Sequence, residues 1–94
     1  MRDFTQRLNS VAEKGDFTVA DLSRWFDRPY HTLWFWVNQD VRPRGSKGQR
    51  KLIYGRLELL EKTVTAKKGL PIPPALNQFE RVEYVEKLRH DLEG

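Results

Sequence analysis
Pro29 stands between two segments that both carry helical patterning, and it limits what the chain around it can form. Upstream lies Phe17-Thr18-Val19-Ala20-Asp21-Leu22. Thr18 with Asp21 three residues later fits a capping box, and Phe17 with Leu22 fits a hydrophobic staple across the same helix start. A helix therefore begins near Val19, with Leu22, Trp25 and Phe26 as its buried face. It has to end at Asp27-Arg28-Pro29, because the residue before a proline is biased away from helix and aspartate tolerates the left-handed backbone of a tight turn. Arg28 suits the cap position, and Pro29 suits the first turn of a new helix, where a missing N–H costs nothing. That helix runs from about Pro29 to Gln39. With so short a joint, the two helices must pack at a steep angle.

The remaining chain reads as helices and connectors. Phe4, Leu8, Val11 and Ala12 recur at helical spacing, so a first amphipathic helix covers about 3–13, with Gly15 ending it. A Pro/Gly-rich basic loop follows Val41, over 42–49. A fourth helix covers roughly 49–68, with Ile53, Leu57, Leu60 and Val64 as its stripe and Leu52 and Leu59 widening it. Lys67-Lys68-Gly69-Leu70-Pro71 reads as a helix stop, with cations at the negative end of the helix dipole. Leu70-Pro71-Ile72-Pro73-Pro74 is a stiff connector, and a last helix over 76–92 carries Phe79, Val82, Val85, Leu88 and Leu92. The pattern predicts an all-α fold, a small bundle of about five helices. Lys51-Leu52-Ile53-Tyr54 has some β character, which leaves room for a short wing hairpin within 42–54. The expected division is a core over 1–68 and an assembly element over 69–94.

Composition narrows the class. A chain of 94 residues is sized for one compact domain, and 32% charged residues leave it a thin core. No cysteine is present, which excludes disulfides and thiolate metal sites. No apolar run reaches membrane-spanning length and the start lacks a signal-peptide pattern, so the expected location is cytoplasmic or nucleoid-associated. Only two histidines occur, His31 and His90, with no metal-ligand cluster, no phosphate-cradling glycine loop and no nucleophile signature. An enzyme is not expected, nor is a cofactor or metal. The net charge of +4 is concentrated: Arg42, Arg44, Lys47, Arg50 and Lys51 lie in a ten-residue run without an acidic residue, whereas 80–94 is net negative. A directed field of this kind suits a polyanion-binding face.

The third helix holds Trp34-Phe35-Trp36, three aromatics that cannot all face one core. At about 100° per residue, with Leu33 inward, Trp36, Val37 and Pro29 share its side and Tyr30 falls at the edge. His31, Phe35 and Asn38 point the opposite way and Trp34 lies on a flank. Trp36 is therefore the structural aromatic, while Phe35 and Trp34 exceed what a small core needs.

Two short helices joined by a tight turn, the second opening on polar residues, resemble a helix-turn-helix DNA-binding unit over about Thr18 to Asn38. Leu22 matches the family's first buried slot and Ser23 the small residue at the closest approach. Phe26 is the apolar residue before the turn, and Leu33 and Trp36 are the inward pair of the second helix. Asp27 stands where glycine is usual and Arg28 where an apolar residue is usual, so a more open turn is expected. The resemblance implies double-stranded DNA as partner, with the third helix in the major groove. Asn38 would read adenine and Phe35 a thymine methyl. Tyr30, His31 and Trp34 complete the groove-facing set, with His and Tyr able to donate to phosphate or base edges, and Arg28 is a further DNA-binding candidate. Arg42, Arg44, Lys47, Arg50 and Lys51 would anchor phosphates or enter a minor groove, with Gly45 and Gly48 admitting close backbone approach.

The stripe on the fourth helix resembles a helix-pairing seam. It points to a homo-oligomer through 53–64 and 76–92, which would add avidity on one duplex. The layout resembles compact transcription regulators. It also resembles the small DNA-recognition subunits of phage packaging motors, which join a helix-turn-helix to assembly helices. A different class is a protein-interaction adaptor that grips its partner with Trp34 and Phe35.

Overall fold
In the computed structural model, which describes residues 3–39, 41–67, 70 and 72–93, five α-helices carry the fold and no strand occurs among the described residues. They are α1 (Phe4–Gly15), α2 (Val19–Phe26), α3 (Tyr30–Asn38), α4 (Lys47–Thr65) and α5 (Gln78–Glu93). The all-α class holds, and the segment considered for a wing, Lys51 to Tyr54, is the second turn of α4.

Each helix start has a local cause. Asp3 caps α1 by accepting from the Gln6 N–H at 2.8 Å. The capping box at α2 is present in both directions, Thr18 with Asp21. Helix α4 begins two residues before its expected start, because Ser46 and Gln49 form a second capping box. Asn77 and Glu80 form a third reciprocal pair at α5. Asp16, Asp27 and Lys67 take the left-handed conformation at φ 58°, 54° and 56°, as expected for Asp27 and one residue or more away from the expected glycine stops for the other two. The α1 stop is thus Asp16, with Gly15 inside the last turn, where a Cβ would meet the Phe17 ring at 2.8 Å. Helix α4 ends at Thr65; Lys68, Gly69 and Pro71 of the expected stop lie outside the described residues.

One hydrophobic cluster unites the chain. It is built from Phe4, Leu8 and Val11 of α1, Leu22, Trp25 and Phe26 of α2, Leu33 and Trp36 of α3, and Ile53, Leu57 and Leu60 of α4. Leu70, Ile72 and Val85 join it. Helix α2 is the hub, packed against α3, α4 and α5, while α1 packs against α3 and α4. The Trp25 indole N–H donates to the Arg56 carbonyl at 3.0 Å, and the Arg56 guanidinium donates to the Phe26 carbonyl at 2.7 Å. These bonds satisfy polar groups that the core would otherwise strand.

The connector and α5 are tied down by polar contacts as well. Ile72 N–H donates to the Gly15 carbonyl at 3.0 Å. Arg81 pairs with the buried Asp21 carboxylate at 2.6 Å and donates to the Asp16 carbonyl at 2.8 Å. The hydrogen bond to Asp21 holds the Arg81 guanidinium above its ordinary range. Arg89 reaches the Arg24 carbonyl at 2.7 Å.

The expected oligomer seam is corrected by this packing. Ile53, Leu57 and Leu60 are buried in the chain's own core, so they offer nothing to a second copy. On α5, Val85 is likewise buried and Val82, Leu88 and Leu92 are half-buried, while Phe79 is 83% exposed.

Candidate nucleic-acid interface
Helix α3 splits its side chains as the wheel predicts for most positions. Leu33 and Trp36 are buried and Val37 is half-buried, while His31, Trp34, Phe35 and Asn38 are exposed. Two positions differ. Tyr30 and Pro29, expected on or beside the inward face, are exposed, because the helix begins at Tyr30 with Pro29 as its cap and the core closes one turn further along. Trp34 is 40% and Phe35 45% exposed. Their rings meet edge to face at 5.5 Å, so each shelters part of the other. The Asn38 amide donates to the Trp34 carbonyl at 3.0 Å, a surface bond that rotation of χ1 can exchange for another partner.

The far end of α3 is held by α1. Thr5 donates to the Trp36 carbonyl at 2.7 Å and Asn9 to the Val37 carbonyl at 3.1 Å, so two of the orphan carbonyls at the helix end are satisfied. Trp36 packs edge to face with Phe4 at 5.4 Å and with Phe26 at 5.9 Å. Phe4 in turn packs on Tyr54 at 5.2 Å. Through Phe4, the end of α3 and the second turn of α4 belong to one rigid cluster.

The basic run is not one loop. Only 41–46 is irregular, and Lys47, Arg50 and Lys51 project from the first two turns of α4. In the loop, Pro43 is buried between exposed Arg42 and Arg44, which pins the loop and turns both guanidinium groups outward. Gly45 is needed for the turn into α4: its φ is 124°, and a side chain there would run into the Gln49 amide that completes the capping box. Gly48 lies inside α4 and has no such constraint.

Electrostatically this is an unfavourable way to begin a helix. The first turn of α4 holds no acidic residue. Lys47, Arg50 and Lys51 instead add to the partial positive charge that the helix dipole already places there, at a cost of about 0.3–1 kcal/mol for each cation in the first turn. Arg42 and Arg44 precede them directly.

Arg28 stands apart from the other candidate residues. It is half-buried, donates to the Asp27 carbonyl at 3.2 Å, and lines a polar cleft of about 270 Å³ with Arg24, Asp27, Glu86 and Arg89. No other candidate residue lines that cleft. Tyr54 was not among the sequence candidates, yet at 37% exposed it shares the α4 face of Lys47, Arg50 and Lys51. Its spacing from Lys47, Arg50 and Lys51 is the signal in the sequence for this shared face. Among the described residues no group of three or more His, Asp or Glu is placed to hold a metal, and no helix is long and apolar enough to cross a membrane.

No family model, curated protein or solved structure matches the chain.

Proposed function
We propose that the chain is a DNA-binding protein of helix-turn-helix type. In this reading α3 enters the major groove with His31, Phe35 and Asn38 foremost and Tyr30 and Trp34 beside them. Arg42, Arg44, Lys47 and Arg50 contact phosphates flanking that groove. Helix α2 and the Asp27 turn set the attitude of α3, and the loop pinned by Pro43 supplies most of the affinity. Transcription regulation is the role such a compact module best fits.

The observation that carries the reading is the cationic start of α4, joined to α3 by the short basic loop and by Phe4, which packs on both Trp36 and Tyr54. Stability alone disfavours five cations gathered around a helix N-terminus without an acid to answer them. A bound polyanion reverses the sign of that term and releases counterions. The exposed aromatics favour base contacts or a protein surface equally, so the test is built on charge.

Titration of a labelled duplex at several salt concentrations tests it. The triple variant Arg42→Ala, Arg44→Ala, Lys47→Ala is expected to weaken binding sharply and to flatten the slope of log K against log salt by about 3. An unchanged slope would leave the adaptor reading, in which Trp34 and Phe35 grip a protein.

A further inference from the structure
Helix α4 has a second stripe that the monomer covers in part, at Leu59. Beside the buried side chains Ile53, Leu57 and Leu60 run Gly48, Leu52, Gly55 and Leu59, spaced 4, 3 and 4. Leu52 is 50% exposed and Leu59 half-buried. Together with Lys51 and Arg56 these four residues line an open groove of about 440 Å³.

The two glycines have no reason inside the chain. Gly55 sits in the body of the helix and Gly48 in its first turn, neither has a positive φ, and a Cβ on either would meet nothing within 4 Å. A helix-interior glycine costs about 1 kcal/mol relative to alanine. Such residues are expected where another backbone or a large side chain comes close.

From the stripe and its flanking charges we infer that α4 pairs with α4 of a second copy of this chain, antiparallel, across the Gly48–Leu59 groove. In an antiparallel pair, seam positions meet in alternation. Leu52 then lies over Gly55 of the second copy, and Leu59 over Gly48. Each leucine fills the space a missing side chain leaves, and the two-fold axis repeats every contact. The charges agree. Lys51 and Glu58 are seven residues apart on the same flank of the stripe, which an antiparallel pair sets against each other. Lys51 meets Glu58 of the second copy, and Glu58 meets its Lys51. Arg56 on the other flank meets the neutral Gln49. A parallel pair would stack leucine on leucine and glycine on glycine, leaving voids at the glycines, and would oppose Lys51 with Arg56. Shape and charge select the same orientation. Glu58 pairs with the exposed Lys62 at 3.3 Å, a surface contact it can exchange at small cost.

The inference does not rest on the DNA reading, and its test uses no DNA. Sedimentation of the full chain over about a hundredfold concentration range reads the monomer–dimer equilibrium. The wild-type chain is expected to shift toward a dimer as concentration rises. Gly55→Gln is expected to remain folded, with a melting temperature no lower than wild type, because glutamine is the better helix former. It should nevertheless stay monomeric, since the added side chain occupies the space for Leu52. Lys51→Glu and Glu58→Lys should each weaken dimerisation about tenfold or more, and the double variant should recover it. A chain that stays monomeric throughout overturns the proposal. So does a dimer that Gly55→Gln leaves intact, or a double variant that fails to recover.

Discussion
Helices α2 and α3 are nearly equal in length, eight and nine residues, and face each other across one turn, yet they place their large side chains in opposite ways. Helix α2 sends Leu22, Trp25 and Phe26 entirely inward, and even its acid, Asp21, is buried and answered by Arg81. Helix α3 buries only Leu33 and Trp36 and leaves Tyr30, Trp34 and Phe35 in contact with solvent. A helix apolar nearly all round is ordinarily buried all round. Here it is not, because α3 lies at the margin of the fold and the core takes only one of its sides. The difference teaches that packing accounts for the large side chains of α2 and does not account for Tyr30, Trp34 and Phe35 of α3. Under the proposed function that exposed aromatic cluster is the surface that meets DNA.

Substitutions can break or sharpen this contrast. Trp25→Ala should cost the most, about 3–5 kcal/mol of stability by chemical denaturation, since it empties the hub and removes the indole bond to α4. Asp21→Ala should cost about 2–3 kcal/mol, because it removes a capping partner of α2 and leaves Arg81 without its carboxylate. On α3 the balance reverses. Phe35→Ala should change stability by less than about 1 kcal/mol while weakening duplex binding about tenfold. If denaturation instead shows a loss as large as for Trp25→Ala, the contrast between the helices fails. Asn38→Ala should be the mildest, within about 0.5 kcal/mol in stability, and its effect should show as relaxed discrimination among duplex sequences.

The helical class and the α2 start were legible because their signals are local. Thr18, Asp21, Phe17 and Leu22 lie within six residues of one another, and the Asp27-Arg28-Pro29 break leaves few alternatives. The inward set of α3 was legible from periodicity. The start of α4 was legible too, through Ser46 and Gln49, but glycine and basic residues drew the reading toward a loop. What periodicity does not carry is which element covers which. Ile53, Leu57 and Leu60 make the same stripe whether their partner is the chain's own α1 and α2 or another copy. Nothing in the order of residues announces that Arg81 crosses to Asp21, sixty positions away, and draws α5 onto the hub. The DNA-binding expectation for Arg28 does not foresee its surroundings, which are the α2 end and α5.

The central claim is that the outer face of α3 meets DNA, and the three tryptophans report on it directly. Trp25 and Trp36 are buried, and only Trp34 offers a large accessible surface to a collisional quencher. Acrylamide quenching of the chain at low salt should therefore show one accessible class of tryptophan emission. The account predicts that a saturating mixed-sequence duplex protects that class while the buried emission is unchanged. A duplex that binds at saturation and leaves Trp34 as accessible as before would contradict it.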